Sequence, residues 1–311
     1  MILWTGCKGE TGKEDPGQMQ AETSDSAPDL APTANPYTGT YVTDSYAQRG
    51  EGYDWVGIRV KEAGDGQFWI SVRSRADMKN PTCTFDGMVF PEDEDTYFTV
   101  LEGKKVLFDF SNGTLTIRPE TGDGNQVLWF RCSGGATLAG TYSKIDGDLD
   151  PGQVDPTTFM KYLTLQDISF NVSAVEKEGK QEVTIRSIGL EISDKDPIIM
   201  SAPGEILDAG IEDLNSDGYP EVVVFSRHGN RGNVQGISVN SGKSMSRFHF
   251  PPQENNPGLM EGVNGKDEFA LVETNLVQRF PIEGGKTRQV VYELVEGENG
   301  RVFKVRDIQE Y

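Results

Sequence analysis

Histidine is nearly absent from this chain, with only His228 and His249 among 311 residues. That scarcity removes the usual general base and the usual transition-metal ligand, and the two histidines show no ligand spacing. His249 lies in Arg247-Phe248-His249-Phe250, a strand-like run in which a structural histidine is expected. Cysteine is almost as rare, with Cys7, Cys83 and Cys132 and no paired-cysteine metal motif. Basic residues are outnumbered 29 to 49 by acidic ones, a net charge of -20 that leaves nothing to neutralise phosphates and excludes nucleic acid as a partner. No apolar run approaches the ~18 residues that a spanning helix needs. Walker loops, dinucleotide fingerprints and nucleophile elbows are missing as well. Together these gaps speak against an enzyme and for a binding protein. An acidic field of this size also speeds encounter with a cationic partner.

What is present is turn chemistry and short β-rich runs. The chain carries 36 Gly and 16 Pro. Its length suits two domains at roughly 150 residues each. Residues 8–36 are polar, with almost nothing to bury, and read as a disordered linker. From 37 to 145 we expect an N-terminal β domain, a sandwich or closed barrel of about nine strands. Alternation is clearest in Phe68-Trp69-Ile70-Ser71-Val72-Arg73 and in Val106-Leu107-Phe108-Asp109-Phe110. Asp65-Gly66, Asn112-Gly113 and Asp123-Gly124 fall between runs, where hairpins want residues that tolerate positive φ. Gln126–Cys132 reads as one of these strands, and a disulfide between Cys83 and Cys132 is expected.

Residues 146–311 form the second β domain. Asp155-Pro156-Thr157-Thr158 predicts a helix start, with Asp155 as N-cap and Pro156 in the first turn. Phe159, Tyr162 and Leu163 would share one face of that helix. Runs of β character follow from Ile168 to Ile308, with loops at Asp217-Gly218, Asn264-Gly265, Gly284-Gly285 and Asn299-Gly300.

Two segments of the second domain carry candidate chemistry. In Asp213-Leu214-Asn215-Ser216-Asp217-Gly218-Tyr219-Pro220-Glu221, oxygen donors alternate along the chain and a Gly sits at the turn. Asp213, Asn215, Asp217, Tyr219 and Glu221 therefore make a candidate structural Ca2+ site, with no cofactor otherwise required. The pattern departs from a true EF-hand, since Val224 stands at the twelfth position and a strand follows. Side chains that cap the loop's own amides explain the same residues. The second segment, Arg227-His228-Gly229-Asn230-Arg231-Gly232, concentrates cations in a glycine-bearing loop between two β runs. It is the candidate binding loop, because guanidinium groups seek carboxylates.

Three resemblances add to this reading. Met1-Ile2-Leu3-Trp4-Thr5-Gly6-Cys7 resembles the end of a bacterial lipoprotein signal, truncated here to residues 1–7. It implies lipidation of Cys7, an oxidising compartment and a lipid anchor in the cell envelope, on the outer membrane and facing the periplasm or the surface. From about 208 to 311 the chain resembles the periplasmic inhibitors of invertebrate-type lysozyme. The carriers are Asp213–Glu221, Asn240-Ser241-Gly242-Lys243-Ser244, Asp267–Glu273, Leu276–Ile282 and Arg288–Leu294. That resemblance implies an all-β fold, here a β-sandwich preceded by one short helix. It also implies a cationic lysozyme-type hydrolase as partner and occlusion of its cleft by the loop at Arg227–Gly232. The family's loop carries a Ser-Gly-x-Tyr sequence, where this chain has Gly229-Asn230-Arg231-Gly232. The N-terminal domain is similar to lipocalin-like barrels of lysozyme-inhibitor lipoproteins. A calcium-stabilised module that recognises a glycan or protein without inhibition is the alternative.

Overall fold

A computed structural model describes residues 35–251, 257–263 and 266–311. Cys7, most of the 8–36 linker and the Asn264-Gly265 turn lie outside these described residues. Eight antiparallel strands close into a barrel. They are β1 (Gly39–Val42), β2 (Val56–Gly64), β3 (Gln67–Ser74), β4 (Phe85–Pro91), β5 (Thr96–Leu101), β6 (Lys104–Ser111), β7 (Thr114–Pro119) and β8 (Gly140–Ile145). Asp65-Gly66 and Asn112-Gly113 adopt the positive φ that tight hairpins demand. Closure leaves no barrel edge exposed to stray pairing.

The alternation read from the sequence fills the barrel. Phe68, Ile70 and Val72 point inward with Ile58, Val60, Phe108, Leu115 and Ile117. One end is packed by Tyr37, Tyr41, Phe68, Tyr97 and Phe110, with Tyr37 stacked on Phe110 at 4.8 Å between ring centres. Gln126–Cys132 is not a strand. Asn125–Trp129 forms the short helix α1, whose Val127 and Leu128 are buried in the barrel core. Two apolar neighbours on one helical turn serve that purpose without alternation. The Cys83–Cys132 disulfide spans 49 residues of sequence and ties the segment after α1 to the approach to β4.

Twelve further strands form three four-stranded antiparallel sheets, each made of four consecutive strands. The first holds β9 (Thr157–Leu165), β10 (Ile168–Lys177), β11 (Lys180–Ile188) and β12 (Ile198–Ala202). The second holds β13 (Glu205–Glu212), β14 (Glu221–His228), β15 (Arg231–Asn240) and β16 (Ser244–Arg247). The third holds β17 (Glu268–Val272), β18 (Asn275–Pro281), β19 (Thr287–Gly297) and β20 (Gly300–Glu310).

The expected helix at Asp155–Leu163 is strand β9. Phe159 and Leu163 are four apart, a spacing that serves one face of a helix and one face of a strand equally well. β-branched Thr157 and Thr158 and pairing with β10, broken only by a bulge at Thr158, decide for the strand. Asp155 does cap backbone, but as an Asx turn: its Oδ1 accepts the Thr157 N–H at 3.0 Å and its Oδ2 accepts the Thr84 hydroxyl.

The sheets stack face to face, so the sandwich has a third layer. Val222 and Val224 face the first sheet with Phe159, Phe170 and Ile185. Val223 and Phe225 face the third with Leu276, Phe280 and Phe303. Strand β14 is thus buried on both sides, which explains its unbroken Val-Val-Val-Phe run.

The barrel and the stack form one unit, Asn35–Tyr311. Their junction is the outer edge of β9. Asp86 on β4 accepts the Met160 N–H at 2.7 Å and pairs with Arg73 at 2.8 Å, while Arg73 donates to the Thr157 carbonyl at 2.6 Å. Both side chains are buried, at 3% and 1% exposed. Trp69 on the outer barrel wall stacks on Phe159.

Replacing both Cys83 and Cys132 by Ser should lower unfolding free energy in urea by up to ~4 kcal/mol, the loop-closure value for a bridge of this span. Asp86→Ala strands a buried guanidinium and an amide, and should cost about 3–5 kcal/mol by the same measurement.

Candidate functional site

The acidic loop joins β13 to β14 and is organised by its own amides. Asp213 accepts the N–H groups of Asp217 at 3.0 Å and Gly218 at 2.9 Å. Asn215 accepts that of Asp217, and Asp217 accepts that of Tyr219 at 2.9 Å. Ser216 and Gly218 take positive φ, which lets the loop curl around these oxygens. The side chains of Asp213, Asn215 and Asp217 thus cap the loop, Tyr219 joins it through its backbone N–H, and the Glu221 carboxylate accepts the Leu214 N–H. Among the described residues, however, no group of three His, Cys, Asp or Glu side chains is arranged to hold a metal ion.

A cation is nevertheless present, in the form of Arg301 from β20. It reaches Asp217 at 2.6 Å, Glu221 at 3.4 Å, Glu296 at 3.1 Å and the Val239 carbonyl at 2.8 Å. Sequence patterning gave no sign of this role, because Arg301 follows an Asn-Gly turn some 80 residues beyond the loop. Glu221 is fully buried and also accepts the Leu214 N–H at 2.8 Å. Burial pushes its carboxyl up to about 7, against the pull of the Leu214 amide and Arg301.

The second segment is a tight hairpin. β14 and β15 pair down to His228 and Arg231, leaving Gly229 and Asn230 as the turn, with Gly229 at φ 59°. His228, Gly229, Asn230 and Arg231 are exposed. The base of the hairpin is fastened to the strand that opens the third sheet. Asp267 is buried and accepts the Gly232 N–H at 2.9 Å and the Gln278 amide at 2.9 Å, while Tyr292 donates to Gln278 at 2.7 Å. The Asn230 carbonyl accepts the Lys266 N–H at 3.0 Å. Arg231 lies 3.7 Å from Asp267, and Arg227 lies 3.7 Å from Glu268. In the sequence Asp267 appears only as the first residue of the Asp267–Glu273 segment, and no spacing marks it as the hairpin's anchor.

The hairpin and the acidic loop are different features of the second sheet, at opposite ends of β14. His228 is part of the hairpin, whereas His249 is an exposed residue stitched by its backbone to Arg301 and Phe303. Beside the hairpin base lies a groove of about 450 Å3, lined by Leu207, Phe225, Arg227, Gly232, Phe269 and Leu271 among others. Comparison with known protein families and with curated proteins finds no match.

The raised Glu221 carboxyl has a defined effect on stability. Its folded value of about 7 lies above the ordinary 4.5, so the folded state holds the proton more tightly. The associated stability is fully present below pH ~4.5 and is lost as pH rises through ~7. Glu221→Gln cannot titrate. The wild-type advantage over this variant should therefore shrink across that window, on the order of 2 kcal/mol in urea unfolding followed at a series of pH values.

Proposed function

We propose that this chain is a non-enzymatic envelope protein, lipid-anchored through Cys7, that binds and inhibits a lysozyme-type peptidoglycan hydrolase through the hairpin Arg227–Gly232. The observation that carries the reading is a two-residue turn with an exposed tip and a base held by the buried Asp267–Gln278–Tyr292 chain. A loop so fastened loses little conformational freedom on docking, which is what occlusion of a cleft requires. Net charge of -20 favours encounter with a cationic enzyme. Near contact, Arg231 supplies the group that meets a cleft carboxylate.

A second reading is favoured by one specific geometry. Arg227 and Arg231 already lie beside Glu268 and Asp267, so their charge is partly spent within the molecule. A module that recognises a glycan or protein surface without blocking an enzyme needs no outward cation. Ca2+ bound by Asp213, Asn215, Asp217, Tyr219 and Glu221 belongs with that reading, and calcium-dependent melting together with glycan binding would distinguish it.

The test is a titration of invertebrate-type lysozyme activity with the full chain, alongside animal c-type and goose-type enzymes. Stoichiometric inhibition of the first enzyme is expected, weakened at least about tenfold by Arg231→Ala, the loss of one charge-assisted bond. Undiminished activity of all three at micromolar protein would retire the inhibitor and leave the binding module.

A further inference from the structure

Sheet edges, rather than loop tips, point to a second binding surface. A two-residue turn closes on a hydrogen-bonded residue pair, and bonded and outward positions then alternate along each strand. In the first sheet, β9 and β10 close at Leu165 and Ile168, so Met160 should point its N–H outward. It does, and Asp86 of the barrel accepts it. The same counting applies to the third sheet. β17 and β18 close at Val272 and Asn275, which turns the backbone N–H and C=O of Phe269 and Leu271 away from β18. Among the described residues nothing bonds these outward groups.

This edge lies above the face of the second sheet and stops short of covering it. Leu271 packs down on β13 at Gly210, where an added Cβ would come within 2.7 Å of its Cδ1. Leu207, Gly210 and Phe225 line the groove left beside it. One more strand alongside β17 would complete the layer. Its inward side chains would rest on Leu207 and Phe225 and must be apolar. Its outward side chains would lie beside Glu268, whose side chain is 74% exposed and only loosely held at 3.7 Å from Arg227, in a chain of net charge -20.

We propose that the groove between β17 and β13 captures an extended segment of a partner protein, with alternating apolar and basic residues, by strand addition to the edge of β17. Backbone bonds would supply affinity, and the alternation would supply specificity. The site does not depend on hydrolase inhibition, because it uses the sheet edge and leaves the hairpin tip unoccupied.

The test uses the full chain and the labelled probe acetyl-Lys-Val-Lys-Val-Lys-Val-amide. Saturable binding is expected, with hydrogen exchange at the Phe269 and Leu271 amides slowed about tenfold or more in the complex. Two further probes carry backbone N-methyl groups, one on the valines and one on the lysines, so that donors are removed without altering the protein. At least one should bind about tenfold more weakly, according to the strand direction. Glu268→Lys should weaken the parent probe several-fold, and this loss should fade in high salt. The proposal is overturned if the parent probe does not bind at millimolar concentration, or if both methylated probes bind as tightly as the parent. Exchange slowed only along β20, or a dimer of the chain that holds the β17 edge against the probe, would overturn it equally. The peptide and exchange readouts on the unmutated chain involve no lysozyme, so the two readings stand or fall separately.

Discussion

A strand at the edge of a sheet presents backbone groups that must be paired, hydrated or covered, and the way this chain covers the edge of β9 organises the molecule. Asp86 and Arg73 leave the barrel wall as an ion pair that would be costly to bury alone. The Met160 amide and the carbonyls of Thr157, Val72 and Phe85 supply further hydrogen bonds. The barrel and the first sheet are thereby joined through backbone as well as side chains, with Trp69 on Phe159 adding apolar contact. Once β9 is fixed, the first sheet offers its other face to the second, and β14 is enclosed between layers.

The same economy governs the cations. With 29 basic residues against 49 acidic ones, a guanidinium held in the interior is withdrawn from an already acidic surface. Arg288 pairs with Glu310 at 2.7 Å and donates to the carbonyls of Gly258, Leu259 and Glu261. Arg131 is buried against Glu102 at 3.1 Å and lies over the Tyr162 ring. Arg301 ties the third sheet to the acidic loop of the second. Each serves as a cross-brace between segments distant in sequence, and each takes up a carboxylate that is itself partly exposed. The long-range field itself follows the net charge of -20.

Legibility in the sequence followed the range of the signal. Alternating residues such as Phe68, Ile70 and Val72 face one core, and glycine turns such as Asn112-Gly113 need one backbone geometry, so most barrel strands and the disulfide could be read locally. Asp155–Leu163 misled because i and i+4 coincide on both a helix and a strand, and because a carboxylate that caps a helix also closes an Asx turn. Gln126–Cys132 misled because apolar content without period does not distinguish a buried helical turn from a strand. The candidate loops were found as stretches, but their chemistry was not: Arg301 and Asp267 act across layers, and no local pattern encodes which layer lies opposite.

The three sheets also show where exposure is tolerated. β9 is sealed by the barrel. β20 carries Lys304, Arg306, Asp307 and Glu310, and a register shift near Val291 interrupts its pairing, both features that discourage a further strand. β17 has neither defence along Phe269–Leu271. Its neighbours are a shallow floor with apolar Leu207 and Phe225 and the exposed carboxylate of Glu268 beside Arg227, and its sheet stops short of covering the layer beneath. Within the third sheet one edge is guarded and the other left open, which is hard to attribute to folding alone, since the same guards were within reach of the sequence. The asymmetry is better explained by a strand that arrives from elsewhere.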